Sequence, residues 1–226
     1  MDAADAADRP LRIGVLASGE GTNLQALLDG VHGREALVVA VGSDRAAAPA
    51  LERAAAAGVV TRVFPRASYE DRAARDAAMS AWLTSSGVEL VVLAGYMALL
   101  SPAFTGAWAG RLVNVHPSLL PAFPGIHAIR QALDYGVKVF GVTVHLVDDG
   151  VDTGPILAQA AVELPAARAE VEVHAVLRPL EHALLCDVVR RYARGTVRPD
   201  AAHPRRMLLD EPGPPPPAAG PGETRS

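Results

Sequence analysis

Leu11-Arg12-Ile13-Gly14-Val15-Leu16-Ala17-Ser18-Gly19-Glu20-Gly21-Thr22-Asn23-Leu24 is the stretch on which the architecture turns. Leu11–Ala17 is a short apolar run, the pattern of a buried strand. Glycines interrupt it at Gly19 and Gly21, and a helical pattern runs from Thr22 to Leu28. Strand, glycine turn and helix in this order open a βα unit. Such a turn exposes backbone N–H groups at a helix N-terminus, where they attract a phosphate. The spacing is not that of a Walker loop, and no Lys follows it. A dinucleotide loop would need a third glycine where Leu24 stands. A single phosphate therefore suits this loop better than a dinucleotide, with an ordinary βα turn as the plainer alternative.

The same rhythm continues outward from this unit. Leu37–Val41 reads as a strand, Pro49–Ala57 as an Ala-rich helix and Val59–Phe64 as a third strand. Ser68 and Asp71, three apart, mark the start of a long helical stretch to Trp82. Val88–Ala94 is continuously apolar, as a strand covered on both faces should be. Arg111–Val115 is a strand leading into a Pro-rich turn, and Ile126–Tyr135 is helical. Strands at Val137–Val147 and Ile156–Leu164 flank the loop Asp148–Pro155, and Glu170–Arg194 is the last long helix. This alternation predicts a single α/β domain with a Rossmann-like, doubly wound, mostly parallel sheet. Residues 1–10 and 206–226 are expected to be disordered tails, because 6 of the 18 prolines fall in the closing EPGPPPPAAGPGETRS, which has no large apolar side chain.

Composition narrows the function. The chain has 226 residues, with 21 Lys and Arg against 25 Asp and Glu and a net charge of -4. No global basic field favours a nucleic acid, and at 4% aromatic residues base-stacking platforms are not expected. The longest apolar stretch, Leu90–Leu100, falls short of the roughly 20 residues that cross a bilayer. Acidic residues stand where a signal peptide needs positive charge. A single cysteine, Cys186, fits a reducing cytoplasm and, within an apolar helix, reads as core rather than nucleophile.

The chemistry concentrates between residues 114 and 152. Asn114 and His116 are two apart on a strand and so share a face, at the carboxyl end where open α/β sheets bind ligands. An amide that donates without titrating and a histidine that carries a proton near neutrality together suit a developing oxyanion. Asp152, in a turn-rich loop, would favour protonated His116 if the two lie close. The plainer readings are a structural Asn-x-His pair and a solvated turn. His127, His145, His174 and His182 lack tight ligand spacing, and no metal is expected.

Taken in order, the motifs Ser18-Gly19-x-Gly21-Thr22-Asn23-Leu24, Leu93-Ala94-Gly95-Tyr96-Met97, Asn114-x-His116-Pro117-Ser118-Leu119-Leu120-Pro121, Pro124-Gly125-x-His127, Gly141-Val142-Thr143-Val144-His145 and Asp152-Thr153-Gly154-Pro155-Ile156 closely resemble the phosphoribosylglycinamide formyltransferase family. The resemblance covers about residues 11–195. It implies formyl transfer from the co-substrate 10-formyltetrahydrofolate to the amine of glycinamide ribonucleotide in purine synthesis, without a metal. It places the catalytic trio on Asn114, His116 and Asp152 and the phosphate loop on Gly21, Thr22 and Asn23. The ribose carboxylate falls on Glu181. Folate contacts fall on Arg72, on Met97, Ala98, Leu99 and Leu100, on Asn114, and on Asp148, Asp149, Gly150, Val151 and Asp152. Some relatives carry Arg where this chain has Ala98. The implied catalytic domain is 11–205, with the ribonucleotide site mainly from 11–100 and the folate and catalytic site mainly from 90–182. A homodimer is compatible with this reading, and neither nucleic acid nor membrane is an expected partner.

Two rivals share parts of the pattern. Formyltetrahydrofolate deformylase passes the formyl to water, but its members carry a further N-terminal domain and typically His where Pro117 stands. A nucleotide-binding Rossmann oxidoreductase would need the third glycine and an isolated ribose-binding acid after the second strand, where this chain reads Gly42-Ser43-Asp44. Formyltransferases acting on methionyl-tRNA carry a C-terminal domain for which 196–226 is too short.

Overall fold

The computed structural model describes residues 9–210. Its seven-stranded sheet has the order β3-β2-β1-β4-β5-β6-β7. These strands are β1 (Leu11–Leu16), β2 (Ala36–Ser43), β3 (Val60–Val63), β4 (Leu90–Leu93), β5 (Leu112–His116), β6 (Val139–Leu146) and β7 (Ile156–Glu163). β1 to β5 pair in parallel, while β6 and β7 are antiparallel additions at one edge. The chain winds outward from β1 to β3 and then returns to place β4 on the other side of β1. Ligands of open α/β sheets bind in the crevice at such a switch point.

Helices cover both faces. α1 (Thr22–Gly30), α2 (Pro49–Ala56), α5 (Ala128–Tyr135) and α6 (Glu170–Ala193) accompany one face, and α3 (Arg72–Ser85) and α4 (Pro102–Ala107) the other. Strand alternation divides the core between them: in β4, Leu90 and Val92 join the first cluster, and Val91 and Leu93 the second. Asp71 caps α3, its carboxylate accepting from the Ala74 N–H at 2.7 Å, as the spacing from Ser68 predicts for a helix start.

Three features depart from the sequence reading. α4 is not anticipated, because six residues containing Pro and Gly carry too little helical signal; Pro102 stands at its first turn, where the missing N–H costs nothing. A separate hairpin, β8 (Val197–Asp200) with β9 (His203–Leu209), follows α6. It takes residues 206–209 out of the expected tail. Backbone pairing and the Arg198–Asp210 ion pair hold it, and Met207 packs on the core, none of which an apolar alternation announces. At the other end, Arg9, which falls within the expected tail, is tied to Glu89 by hydrogen bonds of 2.7 and 2.9 Å. Residues 1–8 and 211–226 lie outside the described part. No described helix is long and apolar enough to cross a membrane.

Candidate active site

β5 ends in the open cleft, and its alternation presents Asn114 and His116 together. The antiparallel partner β6 sets His145 opposite Asn114, with the Asn114 amide nitrogen 3.1 Å from His145 Nε2. The loop between β6 and β7 then brings in Asp152. One carboxylate oxygen lies 3.4 Å from His116 Nδ1 and accepts the Gly125 N–H at 2.7 Å. The other lies 3.5 Å from His145 Nε2 and 3.4 Å from the Asn114 amide. The expected trio is therefore assembled, with His145 as a fourth member.

The loop is shaped to hold that carboxylate. Asp148 accepts from the Gly150 N–H and the Thr153 hydroxyl, a local turn bond of the kind Asp favours. Asp149 accepts from Thr105 on α4, and the Thr153 carbonyl accepts from Arg205 of β9. At Gly154 an added Cβ would fall 1.8 Å from the Leu146 carbonyl oxygen, so only glycine lets the loop close on β6. Asp152 itself is left-handed, with φ of 54°. The other non-glycine residues at positive φ among those described are Phe123 and His127, and both border the same cleft or its histidine. Such backbone concentrates where the surroundings over-determine a site.

His116 is buried at 5% exposure. Its Nε2 is 2.9 Å from the Phe123 carbonyl, which can only accept, so Nε2 carries a hydrogen. With Asp152 at Nδ1, both ring nitrogens face acceptors. Burial works against the charge on Asp152. The His145 hydrogen bond, the Gly125 N–H and the fields of His116 and His145 outweigh it and hold the carboxyl down at about 2.

A cleft of about 510 Å³ opens in front of these groups. Every expected folate contact borders it: Arg72, Met97 to Leu100, Asn114, and Asp148 to Asp152. Its mouth exposes Met97, Leu99, Ile126 and Val151, each more than half accessible. Large apolar side chains left open around a few convergent polar groups are the usual composition of a small-molecule site.

The glycine loop forms the neighbouring wall. Gly21 caps α1 in the left-handed conformation at φ of 72°. The N–H groups of Thr22, Asn23 and Leu24 lie in the first turn, without a helical carbonyl to bond. A Cβ on Gly21 would sit 2.7 Å from that of Ala50, so α2 demands this glycine independently of any ligand. Arg53, absent from the sequence reading, donates to the Glu20 carbonyl at 2.8 Å and adds positive charge beside the loop. Asn23 reaches across to α6, its amide donating to Glu181 at 3.4 Å while its own oxygen, buried, has no partner. Glu181 interrupts an apolar stripe of Val173, Leu177 and Leu185. Burial pushes its carboxyl above the ordinary range, offset in part by Asn23 and by the charges of His174, Arg178 and His116. The structure thus joins Asn23 to Glu181 and sets the pair within the field of His116. Ser18 links the two walls: its hydroxyl donates to Asp44 at 2.5 Å and accepts the Met97 N–H at 2.8 Å.

Among the described residues no cluster of three or more His, Cys, Asp or Glu is placed to hold a metal. Cys186 is buried, its thiol bonded to the Ala26 carbonyl and pushed up by burial, as a core cysteine should be.

The chain as a whole is similar to known proteins. A family model described as formyl transferase matches residues 11–189. The chain is 46% identical over 185 residues to the phosphoribosylglycinamide formyltransferase of Mycobacterium tuberculosis, a match covering 81% of this chain and 86% of that one. It is also 46% identical over 157 residues to the trifunctional purine biosynthetic protein adenosine-3 of Drosophila pseudoobscura pseudoobscura; the match covers 68% of this chain and spans only 12% of that much longer protein. Among solved structures, glycinamide ribonucleotide transformylase 1 from Symbiobacterium toebii superposes with a TM-score of 0.84 at 46% identity, covering 89% of this chain and 95% of that one.

Proposed function

We propose that this chain, which belongs to the formyl transferase family, moves the formyl group of 10-formyltetrahydrofolate onto the amine of glycinamide ribonucleotide, a cytoplasmic step of purine synthesis. One observation carries the reading. The Asn114–His116–Asp152 cluster lines the apolar-rimmed cleft, the charge of His116 acts on Glu181, and Asn23 and Ser18 of the glycine loop bond Glu181 and the cleft-lining Met97 respectively. Two substrates, one on each side, would meet at those groups.

On one side, the N–H groups after Gly21 would receive the phosphate, and Glu181, steadied by Asn23, would accept from ribose hydroxyls. On the other, segment 97–100, Arg72 and loop 148–152 would hold the folate. The ribonucleotide then uses mainly residues 11–100 and the folate mainly 90–182, with Glu181 shared from α6.

The chemistry follows from that placement. The amine attacks the formyl carbon, a C–N bond forms, and the carbonyl electrons move to oxygen. The Asn114 amide would donate to the resulting oxyanion, and His116, whose ring nitrogens face the Phe123 carbonyl and Asp152, would do so by giving up one of those contacts. Collapse breaks the bond to the folate nitrogen, N10. The proton lost by the amine passes to that nitrogen, with Asp152, beside His116, relaying it through water.

Water in place of the amine would turn the same site into a deformylase. The test follows tetrahydrofolate release from 10-formyltetrahydrofolate, with and without the ribonucleotide. Release only with the ribonucleotide supports transfer. Equal release in its absence would assign the hydrolase instead.

A further inference from the structure

Segment 97–101 contributes Met97, Ala98, Leu99, Leu100 and Ser101 between β4 and α4, and none of them is charged. Toward a polar ligand edge, its cleft-lining residues 97–100 can therefore offer only backbone groups. Among the described residues, the backbone N–H and C=O groups of Ala98 and Leu100 take no hydrogen-bond partner. The residues between and beside them are tied down. Met97 N–H donates to Ser18 Oγ at 2.8 Å. Leu99 C=O accepts from Arg75 Nη2 at 2.9 Å. Ser101 N–H donates to Asp76 Oδ2 at 2.6 Å.

Two of these three ties end on one ion pair. Arg75 and Asp76 are neighbours on α3, 4% and 1% exposed. Arg75 forks onto a single carboxylate oxygen, Nε at 2.9 Å and Nη2 at 2.7 Å. That leaves the second oxygen for Ser101. Burying a full ion pair is costly, and apolar residues of similar volume would often serve stability as well. What the pair does that apolar residues cannot is present one donor and one acceptor, in fixed relation, to an adjacent backbone. Neither side chain borders the catalytic cleft.

We propose that Arg75 and Asp76 are positioning residues. They clasp the backbone at Leu99 and Ser101 from behind, and so hold the free groups of Ala98 and Leu100 in register for the formyl donor. This rests on the reading of that segment as the folate wall.

The test uses the intact chain and the double variant Arg75→Met/Asp76→Asn. It leaves no buried charge, keeps an acceptor for Ser101 and removes the tie to Leu99. KM for 10-formyltetrahydrofolate should rise about tenfold, while KM for the ribonucleotide stays within about twofold. Hydrogen exchange in a peptide spanning 97–101 should quicken while the helix 72–85 stays protected. Arg75→Lys, which keeps the charge but not the fork, should show the same pattern more weakly and serves if the double variant does not fold. Lowered thermal stability with an unchanged folate KM and unchanged exchange at 97–101 would overturn the proposal and leave the pair purely structural. The exchange measurement needs no turnover. Failure of the wild-type protein to use formyl folate at all would therefore appear separately, as failure of the functional reading.

Discussion

The glycine loop and the Asn114–Asp152 cluster, proposed above as the two walls of one site, are built by opposite means. The loop works through backbone. Gly21 is required by its left-handed φ and by Ala50, and the groups it presents are peptide N–H groups that any sequence would supply. The cluster works through side chains, drawn from β5, β6 and a loop more than thirty positions downstream of Asn114, and held by mutual hydrogen bonds. Backbone sites should accordingly fail by losing shape, and side-chain sites by losing chemistry in a folded protein.

The largest test of that contrast is Asp152→Asn, which keeps size and tolerance of positive φ but removes the charge. Turnover should fall about 10³-fold with native circular dichroism. The same variant tests the electrostatics. The wild-type carboxyl, held at about 2 against an ordinary value of about 3.8–3.9 in the unfolded chain, contributes stability that is complete above that ordinary value. The contribution is lost as pH falls through about 2. Denaturant melts at pH 5 and pH 2 should show wild type losing roughly 2 kcal/mol more than Asp152→Asn on acidification.

Asn114→Ala comes next. It deletes one oxyanion donor, and kcat should drop about 10²-fold with both KM values little changed. A folded variant with near-normal kcat would remove Asn114 from the chemistry. For the backbone wall, Gly21→Ala should cost about 2 kcal/mol in a melt, from positive φ and the collision with Ala50. Unlike the cluster variants, it should weaken the ribonucleotide and stability together. Unchanged stability would break the contrast. Glu181→Gln is the smallest. KM for the ribonucleotide should rise about tenfold with kcat within a few-fold. Because burial raises this carboxyl, its ionised form opposes folding at pH values above the unfolded value. The variant should therefore melt higher than wild type at pH 8, and lower melting would show that Asn23 and the charges of His174, Arg178 and His116 more than compensate the burial.

How far the sequence could be read follows the same division. β1 to β4 and the helices between them announce themselves because apolar runs, glycines and caps are local signals. Asn114 and His116 were legible as a pair because strand alternation is also local. His145 was not, for its place opposite Asn114 depends on the antiparallel register of β5 and β6, which no run of residues within β6 encodes. Glu181 carried a signal that periodicity alone supplies, a carboxylate on the apolar stripe of α6, although the family resemblance was what singled it out. Arg53, Arg75 and Asp76 had none. Charged residues on helices usually face water, and only the packed structure shows one beside the loop and two behind segment 97–101.

The central claim is that the two walls bring a formyl donor and an amine acceptor together, and following the carbon tests it most directly. The protein would be incubated with 10-formyltetrahydrofolate carrying a ¹³C label in the formyl group, together with glycinamide ribonucleotide, and the products read by mass spectrometry and carbon NMR. For a transferase the label appears in an amide on the ribonucleotide, one formyl gained for each tetrahydrofolate released, with little labelled formate. Labelled formate as the main product, with the ribonucleotide unmodified, would contradict the central claim.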